Sequence, residues 1–192
     1  NLDDASEALG DLLTPFADKG VLYRRYFHKG IDVAWSKAFR TDDRDEVAAI
    51  ARQNGMTVEW LPGDVLKTEN LAQGCVEDKG KLLWFNQCHV FHPANLPSAT
   101  REKLEQFLGA DRLPRQSFYG DGTPIAPETI DRVNEVFDSL THEMRWKNGD
   151  ILLFDNLRFA HGRAPFKGAR RLLVAMANGQ SEPRRTPLFG EV

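Results

Sequence analysis

The chain has 192 residues, 41% of them hydrophobic and 28% charged, enough for one domain with a substantial core and ordinary for a soluble globular protein. The formal net charge of −3 supplies no global field for nucleic acid or anionic lipid, and no apolar run reaches the ~18 residues of a membrane span. Two cysteines, Cys75 and Cys88, are too few for a disulfide scaffold and form no CxxC pair, which with no visible signal peptide fits a reducing, cytoplasmic setting.

Leu2 to Lys19 predicts an amphipathic helix, with Leu9, Leu12, Leu13 and Phe16 at helical spacing and Gly20 as its stop. The β-branched and aromatic run "VLYRRYF" (Val21 to Phe27) predicts a strand. Its Arg24-Arg25 pair, like Arg184-Arg185 near the end, reads as a solvated face. Thr41 to Asn54 predicts a helix capped by Thr41 or Asp42, with Val47, Ala48, Ile50 and Ala51 on its apolar side and Asn54-Gly55 as the stop. "MTVEWLPGD" alternates and then turns, a strand followed by a Pro-Gly loop. "KLLWFNQCHVF" (Lys81 to Phe91) is the longest β-like run of the first half. Arg101 to Leu108 predicts a short helix, and Pro127 to Leu140 a longer one with Ile130, Val133 and Phe137 inward. "DILLFDN" and "RRLLVAMAN" predict two final strands, and "SEPRRTPLFGEV" a weakly ordered tail. Strands dominate this pattern and helices flank it. The expected class is mainly β with peripheral helices (α+β), a sandwich or barrel with helical insertions.

Five histidines are the candidate ligands: His28, His89, His92, His142 and His161. His28 ends a strand before a turn and reads as a surface residue; His142 in "LTHEMRW" has no partner at useful spacing. Cys88, His89 and His92 offer the beginning of a zinc site, but no second ligand pair follows, and the expectation is one pocket-lining histidine with packed neighbours rather than a zinc site. His161 stands at the end of two apolar runs, before a loop with Gly162, Pro165 and Gly168. Arg170-Arg171 then opens an apolar strand. A guanidinium there is costly unless it meets an anion, and its planar fork suits a carboxylate. A structural salt bridge remains the alternative for that arginine.

The motifs "WFNQCHVFH" (Trp84 to His92), "LPRQSFYGDGTPI" (Leu113 to Ile125) and "WKNGDILLFDNLRFAHGRAPFKGARRLLVAM" (Trp146 to Met176) resemble the taurine dioxygenase family of iron(II)- and 2-oxoglutarate-dependent oxygenases. The likeness runs from about Leu9 to Met176 and is nearest to the branch that hydroxylates amino acids or amino-acyl groups in natural-product pathways. It implies a double-stranded β-helix, a jelly roll, over residues 1–180, with 181–192 as the tail. It also implies Fe(II) on two histidines and a carboxylate, with positions left for 2-oxoglutarate and O2. His161 matches the distal histidine. Arg171, ten residues on, matches the arginine for the far carboxylate of 2-oxoglutarate, with Arg170 as the alternative on the same strand. Asn86 matches an asparagine that lines or braces the site. The implied substrate is a small-molecule or carrier-protein-bound amino acid. Ala175, where taurine dioxygenase carries a sulfonate-binding arginine, argues against taurine.

One feature departs from the family: no histidine here begins a His-x-Asp or His-x-Glu triplet. The expectation is that the proximal ligands, and a Gly-Gly-acidic-Thr turn contacting 2-oxoglutarate, lie upstream of Asn1, so that the chain is the C-terminal part of an N-terminally incomplete jelly roll. The rival readings are a non-catalytic jelly-roll module that binds a small molecule or protein, and a zinc module on Cys88, His89 and His92.

Overall fold

The structure, a computed structural model, describes residues 1–165, 167–169 and 171–177. The opening helix is broken in two. α1 (Leu2–Leu9) ends at Gly10, whose φ of 53° carries the chain out of the helix. A 3-10 turn (Gly10–Leu12) follows, and α2 (Leu13–Lys19) resumes the stripe. Leu9, Leu13 and Phe16 stay buried through the bend. Gly20 closes α2 as expected: its φ is 73° and its N–H donates to the Phe16 carbonyl.

β1 (Val21–Phe27) lies where its β-branched run predicts. α3 (Trp35–Phe39) and α4 (Arg44–Gln53) follow. The cap of α4 is Asp43 rather than Thr41 or Asp42: its carboxylate accepts from the N–H groups of Asp45 and Glu46. Thr41 instead hydrogen-bonds the Glu46 carboxylate and the Asp43 N–H. β2 (Met56–Leu61) and its Pro-Gly turn are as predicted.

β3 (Val65–Ala72) pairs antiparallel with both β2 and β1 and is one of the two inner strands, yet apolar alternation does not mark it. Its buried side is Leu66, Thr68, Asn70 and Ala72, half of it polar. β4 (Cys75–Asp78) and β5 (Lys81–Trp84) form a separate hairpin. α5 (Cys88–Phe91), α6 (Ser98–Leu108) and β6 (Arg115–Tyr119) come next. β6 joins the far side of β1, giving a four-stranded antiparallel sheet in the order β2-β3-β1-β6. α7 (Pro127–Ser139) buries Ile130, Val133 and Val136, with Phe137 packed beside them.

Two apolar clusters hold this body together. The larger joins α1, α2, β5, α5 and α7 through Leu9, Phe16, Trp84, Cys88, Ile130 and Val133. The smaller joins β1, β3 and α4 through Phe27, Leu66, Val47 and Ala51. Phe16 meets the edge of Trp84 with ring centroids 4.9 Å apart.

The fold is therefore mixed α+β, with antiparallel sheets and peripheral helices, and helical residues outnumber strand residues among those described. That corrects the mainly β expectation. Beyond α7 no helix or strand occurs among the described residues, so "DILLFDN" and the described part of "RRLLVAMAN" are not strands here. Their residues have the right composition. A strand also needs a neighbour to satisfy its N–H and C=O groups, and neither run pairs with a strand of the body. The tail from Ser181 to Val192, with Arg184-Arg185, lies outside the described residues. No helix among the described residues is long and apolar enough to cross a membrane.

Candidate functional site

"KLLWFNQCHVF" is a strand for four residues only, and Asn86 is the reason. Its Oδ1 accepts from the Cys88 N–H at 2.9 Å, an Asx turn that bends the chain into α5. Its Nδ2 donates to the Gly74 carbonyl at 2.7 Å, which also accepts from the Phe85 N–H. The Gln87 N–H donates to the Tyr23 hydroxyl. Backbone donors after Trp84 are thus met by side chains and a loop, not by a neighbouring strand. Gly74 has to be glycine: a Cβ there would run into the Phe16 carbonyl. Asn86 accordingly braces the junction of β5, α5 and the Gly74 turn.

His161 sits on a loop built by Asp155. The Asp155 Oδ1 accepts from the Leu157 N–H, and its carbonyl accepts from the N–H groups of Arg158 and Phe159. This single turn brings the Phe154 and His161 rings to 4.6 Å. Arg158 fastens the turn to the body: it donates to Asp3 at 2.8 Å and also to Asp78, and its carbonyl accepts the Leu2 N–H at 2.7 Å. His161 and Arg171 are both exposed, and neither lies in a strand. The strands expected at "DILLFDN" and "RRLLVAMAN" are therefore not what presents them. Arg170 lies outside the described residues.

The other histidines separate by their partners. His28 is buried, not a surface residue; its Nε2 donates to the Arg112 carbonyl at 2.7 Å and its ring stacks on Tyr26. His92 has both ring nitrogens committed to backbone: Nδ1 accepts from the Ala94 N–H and Nε2 donates to the Ile125 carbonyl. Burial moves it below its ordinary pKa. His89 stacks on Phe137 at 5.3 Å, and its buried Nδ1 has no hydrogen-bond partner. Burial pushes its pKa down to about 4. The Cys88 thiol is fully buried and raised by the same cause. His142 is exposed.

Arg24-Arg25 is not a solvated face. Arg25 is 4% exposed and donates to Asp32 at 2.9 Å, while Arg115 of β6 reaches the same carboxylate. Burial works to raise the Asp32 carboxyl, but the Val33 N–H and the two guanidiniums outweigh it and hold it below its usual range. Arg24 pairs with Glu69 at 2.6 Å and covers the Phe118 ring. The signal for this cluster was register: Arg25 and Arg115 are direct cross-strand neighbours, which no local pattern shows.

Among the described residues no three His, Cys, Asp or Glu side chains gather as a metal site. One exposed imidazole such as that of His161 cannot by itself hold Fe(II) tightly against water. The described residues do not assemble an iron centre by themselves.

The family model described as Taurine catabolism dioxygenase TauD, TfdA family matches residues 76–176, a span that includes Asn86, His161 and Arg171. The Dapdiamide synthesis protein DdaC of Enterobacter agglomerans is 36% identical over 168 residues, 86% of this chain and 51% of that protein. The Clavaminate synthase-like protein At3g21360 of Arabidopsis thaliana is 24% identical over 169 residues, 83% of this chain and 48% of that protein. The chain thus spans about half the length of these curated relatives.

Proposed function

The chain belongs to the TauD, TfdA family of dioxygenases, and we propose that it forms part of an Fe(II)- and 2-oxoglutarate-dependent oxygenase that hydroxylates an amino acid or amino-acyl group, free or on a carrier protein. The observation that carries the reading is the family match itself, whose span holds both the Asn86 turn and the anchored His161 loop. The likeness to a protein named for dapdiamide synthesis supports an amino-acid-derived substrate in a natural-product pathway.

In this reading His161 is one of three iron ligands, and the His-x-Asp or His-x-Glu pair comes from sequence not among these 192 residues. Arg171 binds the far carboxylate of 2-oxoglutarate through its planar fork, with Arg170 the alternative. Asn86 keeps the β5–α5 junction rigid beside the site. When bound, iron, 2-oxoglutarate and O2 together supply the oxidising power to hydroxylate an unactivated C–H bond, yielding succinate and CO2. The protein's task is to orient the substrate and exclude water. The two apolar runs, residues 151–154 and 172–176, become strands of the jelly roll when partner strands cover them. Residues 1–180 are then the C-terminal part of that domain, with 181–192 its tail. Two free thiols, Cys75 and Cys88, suit a cytoplasmic enzyme.

The test is succinate formation under Fe(II) and ascorbate, with amino acids and carrier-bound aminoacyl groups as substrates. The full-length protein turns over and its His161→Ala variant does not; the 192-residue chain alone is inactive. Turnover by the short chain would mean that other residues of this chain, such as His89 or His92, complete the site. A full-length protein that binds no Fe(II) would leave the non-catalytic binding module as the reading.

A further inference from the structure

Arg158 stands three residues before His161 and touches two elements that are distant in sequence. Its two terminal nitrogens divide between Asp3, in the first turn of α1, and Asp78, at the end of β4. Its carbonyl takes the Leu2 N–H at 2.7 Å, so side chain and backbone grip the same corner. Lys81 of β5 stands 3.7 Å from the other Asp3 oxygen, which adds a second cation to the same corner. On the far side of Arg158 the Asp155 turn sets the Phe154 ring against His161.

From this arrangement we propose that Arg158 is a positioning residue for His161: its bridge to Asp3 and Asp78 fixes the turn that orients the imidazole. The proposal rests on the reading of His161 as an iron ligand. A lone exposed ion pair contributes little. A guanidinium fork spanning two carboxylates, with its own carbonyl also held, is a geometric constraint, and lysine has no equivalent fork. Partners outside the ligand shell commonly command ten- to hundredfold changes in metal affinity by holding a ligand in orientation.

The experiment uses the full-length protein and its Arg158→Ala and Arg158→Lys variants. Two quantities are read: the nuclear Overhauser contact between the His161 and Phe154 rings, and the Fe(II) dissociation constant from the visible absorption formed with 2-oxoglutarate without oxygen. Arg158→Ala is expected to lose the ring contact and to weaken Fe(II) binding about tenfold to hundredfold. Arg158→Lys falls between, because it keeps the charge and loses the fork. A merely structural arginine would lower the melting midpoint and leave the ring contact intact. Retention of the contact, or Fe(II) affinity within about twofold of wild type, overturns the proposal. If the wild-type protein takes up no Fe(II), the oxygenase reading fails, and the ring contact alone decides whether Arg158 holds the loop.

Discussion

Residues 1–140 and residues 141–177 have similar apolar content and opposite fates. In the first region Phe16 and Trp84 are 0% and 1% exposed, and all six strands are paired, four in one sheet and two in a hairpin. In the second, Ile151, Leu153 and Met176 are 93%, 94% and 91% exposed, on runs that have no neighbouring strand among the described residues. Yet the second region carries the longest family motif and the candidate iron ligand. The region that packs on its own and the region with the longest family motif are thus different parts of the chain. Exposed apolar runs of this size commonly mark a surface that packs against something else, as the proposed jelly roll requires.

The contrast is sharpest under truncation of the core. Trp84→Ala, which empties a site between Phe16 and Phe137, should cost about 4 kcal/mol in urea unfolding of the body. A loss below about 1 kcal/mol would mean that the first region is not the packed unit described.

Acid should act on the same core. His89 titrates near pH 4 in the folded chain and near its ordinary 6.5 when unfolded, so between these values the unfolded state binds more protons. Stability is then fully present above about pH 6.5 and falls as pH drops toward 4, by about 3 kcal/mol in all. His92, also depressed by burial, adds to the same slope. His89→Phe should flatten most of it, and an unchanged slope in that variant would remove His89 as the cause.

Asn86→Ala should cost about 2 kcal/mol, since the Cys88 N–H loses its acceptor while the Gly74 carbonyl keeps the Phe85 N–H. Hydrogen exchange at Cys88 is the direct measure; full protection in the variant would show that the turn does not depend on the asparagine. The smallest effect belongs to the second region. Leu153→Ala in the 192-residue chain should change stability by less than about 0.5 kcal/mol. The same change in the full-length protein should cost about 2–5 kcal/mol if the jelly roll buries that run. Equal costs in both would erase the distinction between the two regions.

Wherever an element is marked by its own residues, sequence was sufficient. β1, β2, α4 and α7 follow from β-branched runs, a cap-and-stop pattern and helical spacing, because the interactions that define them lie within a few residues. Asn86 came from motif likeness alone, and His161 and Arg171 from likeness together with the loop between two apolar runs; neither signal carries geometry. Tertiary structure alone decided the rest. β3 is an inner strand although half its buried face is polar, since the sheet is completed by partners far along the chain. Arg25 is buried because Arg115 and Asp32 converge on it, and His28 because the Arg112 carbonyl lies within reach. The runs around Ile151 and Leu173 read as strands by composition and are not strands among the described residues, because backbone pairing is a property of two segments and never of one.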